Sequence, residues 1–220
     1  GAIARNDTTT QLNNSTTTQQ DNDENEKLPK ELSNINTVEH DYRLITSKED
    51  AKQLCDRLME SRIVSLDTET DSTNAIDAEL VGLSFSMKEH EAFYVAIPAP
   101  REEAQEMVDI FKPLYENPNI LKIGQNIKYD YEVLRNYGID IQGKMFDTML
   151  AHYVWHPELR HNMDYMAETL LGYQTVHIEE LIGQKGKNQK NMRDLNPDDV
   201  YEYAAEDADI TLQLRNVLEH

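Results

Sequence analysis

An α/β domain built on a mixed β-sheet is the architecture this sequence predicts, on three observations. Strand-like segments succeed one another between Arg62 and Pro98. A short apolar run, Ile120 to Ile123, ends at Gly124 and leads into a helix. Most of the chain beyond Gly124 has helical periodicity.

Ser47-Lys48-Glu49-Asp50 has the form of a helix start, a hydroxyl cap with an acid at the third helical position. Ala51, Leu54, Cys55 and Leu58 then recur at helical spacing, and the helix should stop near Ser61. Arg62 to Thr70, Leu80 to Met87 and Ala92 to Pro98 are rich in β-branched and apolar residues and are separated by turn-forming and charged ones. Three consecutive antiparallel strands are the simplest arrangement. From Arg101, the residues Met107, Ile110, Phe111 and Leu114 mark one helical face. Helices are predicted over Tyr129 to Tyr137, Asp147 to Trp155, Met163 to Leu171, and Pro197 to Leu218 with a break near Glu206. No internal repeat is found.

A chain of 220 residues accommodates one domain with a sizeable core. Residues 1–40 are polar and low in apolar content, and are expected to be a disordered linker or tail; residues 41–220 form the domain. A start at Gly1 suggests an internal fragment or the scar of a removed tag. No run of about 18 apolar residues and no secretory signal is present, so a soluble, intracellular protein is expected. A lone cysteine, Cys55, forms no internal disulfide and is read as packing. The formal charge is −20 and opposes phosphate binding by a broad basic surface. Residues 1–40 hold seven acids and three bases, so about −16 remains on the domain. Any nucleic-acid contact must therefore be short, local and metal-assisted.

Three motifs carry chemistry. Asp67-Thr68-Glu69-Thr70 closes the first of the three strands, and alternation puts Asp67 and Glu69 on one face. Two such carboxylates repel unless a cation sits between them; alone, the pair also fits a polar strand end facing water. Asp130 lies where the buried strand runs into a helix through Asn126-Ile127-Lys128-Tyr129, a usual place for functional groups, and taken alone it reads sooner as a helix cap. Tyr203 and Asp207, four apart, share a helical face, which also fits a packed tyrosine beside a solvated acid. Asp147 is read as a helix cap and Asp209 as solvated. Gly183-Gln184-Lys185-Gly186-Lys187-Asn188 lacks the spacing and the hydroxyl of a nucleoside-triphosphate loop.

Together and in this order, Asp67, Glu69, Asp130 and Asp207 resemble the four acids of the DEDD exonuclease superfamily, with Tyr203 marking its tyrosine subclass. Gly124-Gln125-Asn126, Phe146-Asp147-Thr148-Met149-Leu150, Lys185-Gly186-Lys187-Asn188-Gln189 and Ala205-Glu206-Asp207-Ala208-Asp209 narrow the resemblance to the 3′-5′ proofreading domains of bacterial DNA polymerase I, from about Tyr42 to the end.

The resemblance implies a ribonuclease H-like fold with a mixed five-stranded sheet flanked by helices. It implies two Mg²⁺ ions, with Mn²⁺ as a substitute: one held by Asp67, Glu69 and Asp207, the other by Asp67 and Asp130, with Tyr203 and Glu69 orienting the attacking water. It places Arg160 near a substrate phosphate and Gln125 and Asn126 beside the terminal nucleotide. Thr73 stands where the pattern has leucine and Ile178 where it has phenylalanine, both positions that contact the terminal bases. The implied substrate is the 3′ end of a DNA single strand, released as nucleoside 5′-monophosphates. The implied partner is a polymerase domain in the same full-length chain, with no membrane contact and a monomeric fragment. The implied location is the bacterial cytoplasm, at the nucleoid. The alternatives are an RNA-trimming exonuclease like ribonuclease D and a non-catalytic structural relative.

Overall fold

The structure is a computed structural model that describes residues 31–220. Its organising element is β3 (Ile63–Thr70), whose alternating side chains face two different layers. Val64 and Leu66 join a core with Leu54 and Leu58 of α1 (Lys48–Met59) and Phe111 and Tyr115 of α2 (Arg101–Tyr115). The opposite face carries Ser65, Asp67 and Glu69 toward α7 (Pro197–Leu218). β4 (Leu80–Lys88) and β5 (Glu91–Ala96) complete the expected antiparallel trio, with Asp67 opposite Ser84 in register. Phe85 of β4 stacks on Phe111 at 4.9 Å between ring centres, fixing α2 to the sheet.

On the other side of β3, β6 (Leu121–Gly124) and β7 (Met145–Asp147) add in parallel. The main sheet thus has the order β2-β5-β4-β3-β6-β7 and six strands, one more than expected. The addition is β2 (Asp41–Ile45), which pairs parallel with β5. Its exposed Asp41 and Arg43 flank the half-buried Tyr42, the alternation of an edge strand.

The boundary at residue 40 also moves. Within β1 (Ser33–Asn34), which pairs with β8 (Tyr173–Gln174), Ser33 donates to Gly172 O from its backbone N–H at 3.0 Å and from its hydroxyl at 3.1 Å. Val38 packs against a small cluster of Met166, Tyr173, Ile210 and Leu214. Residues 31–40 therefore belong to the folded unit, whereas the expectation of a disordered segment over residues 1–30 lies outside the described residues.

Short helices fill the connections. α3 is Ile127–Arg135 and α4 is Thr148–Trp155; α5 (Met163–Met166) continues as a wide turn over Ala167–Leu171; α6 is Ile178–Ile182. Helix α7 runs 22 residues without the expected break. Asn196 caps it by accepting from Asp198 N–H, and Pro197 suits the first turn. Ala204, Ala205 and Ala208 are fully buried, and their small side chains let α7 lie close on the sheet.

Candidate metal centre and strand-end groove

The local geometry of β3 and α7 builds the centre. Period two along the strand aims Asp67 and Glu69 the same way, and α7 brings Asp207 against them. One carboxylate oxygen from each of the three lies within 4.8 Å of the others. Asp130 enters from the first turn of α3, only 2 % exposed. Its Oδ1 accepts from the Thr68 backbone N–H at 2.9 Å and from the Thr68 hydroxyl at 2.6 Å. Asp130 is thus not the cap of its own helix; it is tied to the strand between the two other acids.

Electrostatics follow from burial. Loss of solvent pushes the Asp67 carboxyl up to about 7, opposed by the Thr68 backbone N–H. Glu69, Asp130 and Asp207 are all held well above the ordinary carboxyl range, first by burial and then by one another's charge, that of Asp67 foremost. Tyr203 is raised too, by burial first and then by Asp207, Glu69 and Asp67, so its phenol stays protonated. Among the described residues no lysine or arginine pairs with any of these acids. Three hard oxygen donors within 4.8 Å of one another, with Asp130 beside them and no internal counter-charge, fit a divalent cation of the Mg²⁺ or Mn²⁺ type.

A groove of about 680 Å³ opens beside Glu69. Thr73, Asn126 and Ile178 line it together with Tyr129, Gln189 and Lys190, so three of the positions read as nucleotide contacts share one concavity. Asn126 sits at φ 58°, ψ 48°, a left-handed turn that presents its side chain outward before α3 begins. The preceding Gly124 is required by contact: a Cβ there would lie 2.9 Å from Ile127. Gln125 and Arg160 lie outside the groove's lining. Gln125 Nε2 donates to His161 O at 2.8 Å, which ties it to the residue after Arg160. A second concavity of about 660 Å³, between α4 and the end of α7, is lined by Leu150, Val154, Trp155 and Val217 and holds none of the clustered acids.

Several roles were not legible locally. Asp147 is the expected cap of α4, accepting from Met149 and Leu150 N–H, but it also accepts from Asn126 and Ile127 N–H and so caps α3 as well. Asp209 is not solvated: it is 1 % exposed and accepts from Tyr42 hydroxyl at 2.6 Å and His90 N–H at 2.9 Å. Tyr129 hydroxyl lies 2.5 Å from both Thr70 Oγ1 and Ser72 O, bracing the rim of the groove.

A mixed sheet that carries clustered, buried carboxylates beneath a long helix defines the class: a ribonuclease H-like exonuclease fold. Trypanosoma brucei RNase D superposes with a TM-score of 0.66 at 19% identity, over 82% of this chain and 66% of that one. Brucella melitensis NrnC, solved with bound Mg²⁺, gives 0.61 at 20% identity, over 83% and 81%. At such identities the likeness concerns the fold alone. The chain belongs to the 3′-5′ exonuclease family, whose profile matches residues 42–220, in the form found in DNA polymerase I. Borreliella burgdorferi DNA polymerase I is 36% identical over 193 residues and that of Pseudomonas aeruginosa 38% over 190, covering 84% and 82% of this chain. In both cases the chain spans about a fifth of the relative, 21%.

Proposed function

We propose that this domain removes nucleotides one at a time from the 3′ end of single-stranded or frayed DNA, in a reaction that depends on divalent metal. The proposal rests on the convergence of Asp67, Glu69 and Asp207 within 4.8 Å, with buried Asp130 beside them. Asp67, Glu69 and Asp207 would hold one ion and Asp67 with Asp130 a second, Mg²⁺ by preference and Mn²⁺ in its place. Bound there, the ions would supply Lewis-acid stabilisation of the attacking and leaving oxygens.

The chain's own residues do the rest. Tyr203, protonated, donates a hydrogen bond that orients the attacking water, and Glu69 accepts from that water. Thr73, Asn126 and Ile178 in the groove, with Gln125 beside them, seat the terminal nucleotide, and Arg160 holds a phosphate. The product is a nucleoside 5′-monophosphate.

The acidic surface agrees with this division of labour, since only a few unpaired nucleotides need enter, and a mispaired end frays at lower cost than a paired one. A polymerase domain elsewhere in a full-length bacterial cytoplasmic protein would hold the duplex. The match to only 21% of each relative supports this reading, and so does the exposed apolar face at Leu150, Val154 and Trp155.

A 5′-labelled single strand incubated with the domain should shorten in single-nucleotide steps with Mg²⁺ and stay intact with chelator. Internal cuts, or equal shortening in chelator, would contradict the proposal. Competition between matched DNA and RNA strands separates it from ribonuclease D-like trimming.

A further inference from the structure

Two histidines that the carboxylate chemistry does not use face each other behind the Arg160 loop. His152, on α4, is 1 % exposed, and its Nδ1 lies 2.8 Å from Nδ1 of His161. Their rings meet edge to face at 5.0 Å. At that distance one ring nitrogen must donate and the other accept, so the contact is lost when both Nδ1 atoms carry protons. The surroundings hold the pair in the bonded form: burial, then the proximity of His161 and His156, pushes His152 below its ordinary value, with Glu158 acting weakly the other way.

The pair is wired to the site on both sides. The carbonyl of His161 accepts from Gln125 Nε2 at 2.8 Å, and Gln125 Oε1 accepts from the hydroxyl of Thr148, one helical turn before His152. Tyr165 packs its ring 6.5 Å from His152 and carries the Arg160 guanidinium 5.7 Å over its face. Arg160 is exposed and makes no ion pair among the described residues, so an external anion can reach it.

We propose that His152 is a positioning residue: its bond to His161 latches the 156–162 loop to α4 and so holds Arg160 for the substrate phosphate. This rests on the exonuclease reading and on Arg160 as its phosphate contact. The bond spans nine residues, and no other side-chain hydrogen bond among the described residues joins that loop to α4. Cutting it leaves Arg160 present but poorly aimed, which weakens binding without touching the reacting atoms.

Steady-state cleavage of a labelled single-stranded oligonucleotide in Mg²⁺ tests this with His152→Phe, His152→Asn, Arg160→Ala and the double variant of His152→Phe with Arg160→Ala. His152→Phe keeps the ring packing and should raise KM about tenfold with kcat within about twofold of the parent. His152→Asn places an amide near the lost Nδ1 and should recover most of the loss. The double variant should match Arg160→Ala alone, because the latch acts only through the arginine. If His152→Phe fails to fold, His161→Phe cuts the same bond from the loop side and should give the same KM change. A raised KM in Arg160→Ala with parental KM in the histidine variants would overturn the latch alone. A parental KM in Arg160→Ala would overturn the phosphate assignment and the latch with it. An inactive parent would overturn the exonuclease reading on which both rest.

Discussion

The Asp130 carboxylate reaches from α3 to β3, where one oxygen takes both the backbone N–H and the hydroxyl of Thr68, at 2.9 and 2.6 Å. Thr68 is the middle residue of the Asp67-Thr68-Glu69 motif, so the contact sets the spacing of acids that come from two different elements. Thr68→Val keeps the shape and removes the hydroxyl donor. The variant should lose about 1 to 3 kcal/mol of stability and need more Mg²⁺ for half-maximal cleavage. An unchanged metal titration would show that the hydroxyl does not orient Asp130.

Tyr203 and Asp207 share one face of α7, and the proposed mechanism gives them different tasks. Tyr203→Phe should retain metal-induced stabilisation and slow cleavage by about 10- to 100-fold, since it removes one hydrogen bond to water. Asp207→Ala removes a proposed ligand and should leave no measurable cleavage. Equal activities of the two variants, compared at saturating Mg²⁺, would contradict this division.

The raised carboxyl pKa values make the metal-free fold sensitive to pH. Acids that hold protons more tightly folded than unfolded stabilise the fold at low pH, and this is lost as pH rises from about 4, the unfolded value. For Asp67 the loss is complete above about 7. In chelator the melting temperature should therefore fall between pH 5 and pH 8, and the gain from Mn²⁺ should be larger at pH 8, where the ligands are ionised. Melting curves at the two pH values with and without Mn²⁺ check the sign; a gain that shrinks toward pH 8 would contradict it.

The clustering of the carboxylates was legible in the sequence because its spacings are local. Asp67 and Glu69 are two apart on a strand, and Tyr203 and Asp207 four apart on a helix, so each pair converges by backbone period alone. What could not be read depends on distant partners. Asp209 looks solvated in a helical pattern, yet its partners Tyr42 and His90 lie 167 and 119 residues away. The expected break near Glu206 fails for the same reason: its buried carboxylate accepts from Tyr173 hydroxyl at 2.6 Å and Val176 N–H at 2.8 Å, so the helix continues without strain. β7 is three residues long and β1 two, too short for any periodicity to show.

Residues 31–40 offer a test of the revised boundary. A chain starting at residue 41 loses the β1–β8 pairing and the packing of Val38 that a chain starting at residue 31 keeps. It should melt several degrees lower, since about 1 to 2 kcal/mol shifts a domain of this size by roughly 2 to 8 °C. Identical melting curves for the two would return the boundary to residue 40.

Metal relieves the mutual repulsion of the four carboxylates if they form a cation site, and the melting temperature of Asp130→Asn against the parent addresses that relief most directly. The amide keeps an acceptor for Thr68 and removes the charge. A like-charge pair 4 Å apart costs up to about 4 kcal/mol at an effective dielectric of 20, which solvent and protonation reduce to about a third. At pH 8 in chelator, Asp130→Asn should melt above the parent, and in Mn²⁺ it should gain less, because ligand-induced stabilisation falls as affinity falls. A variant that melts below the parent in chelator and gains as much from Mn²⁺ would make Asp130 a structural tether and contradict the cation site.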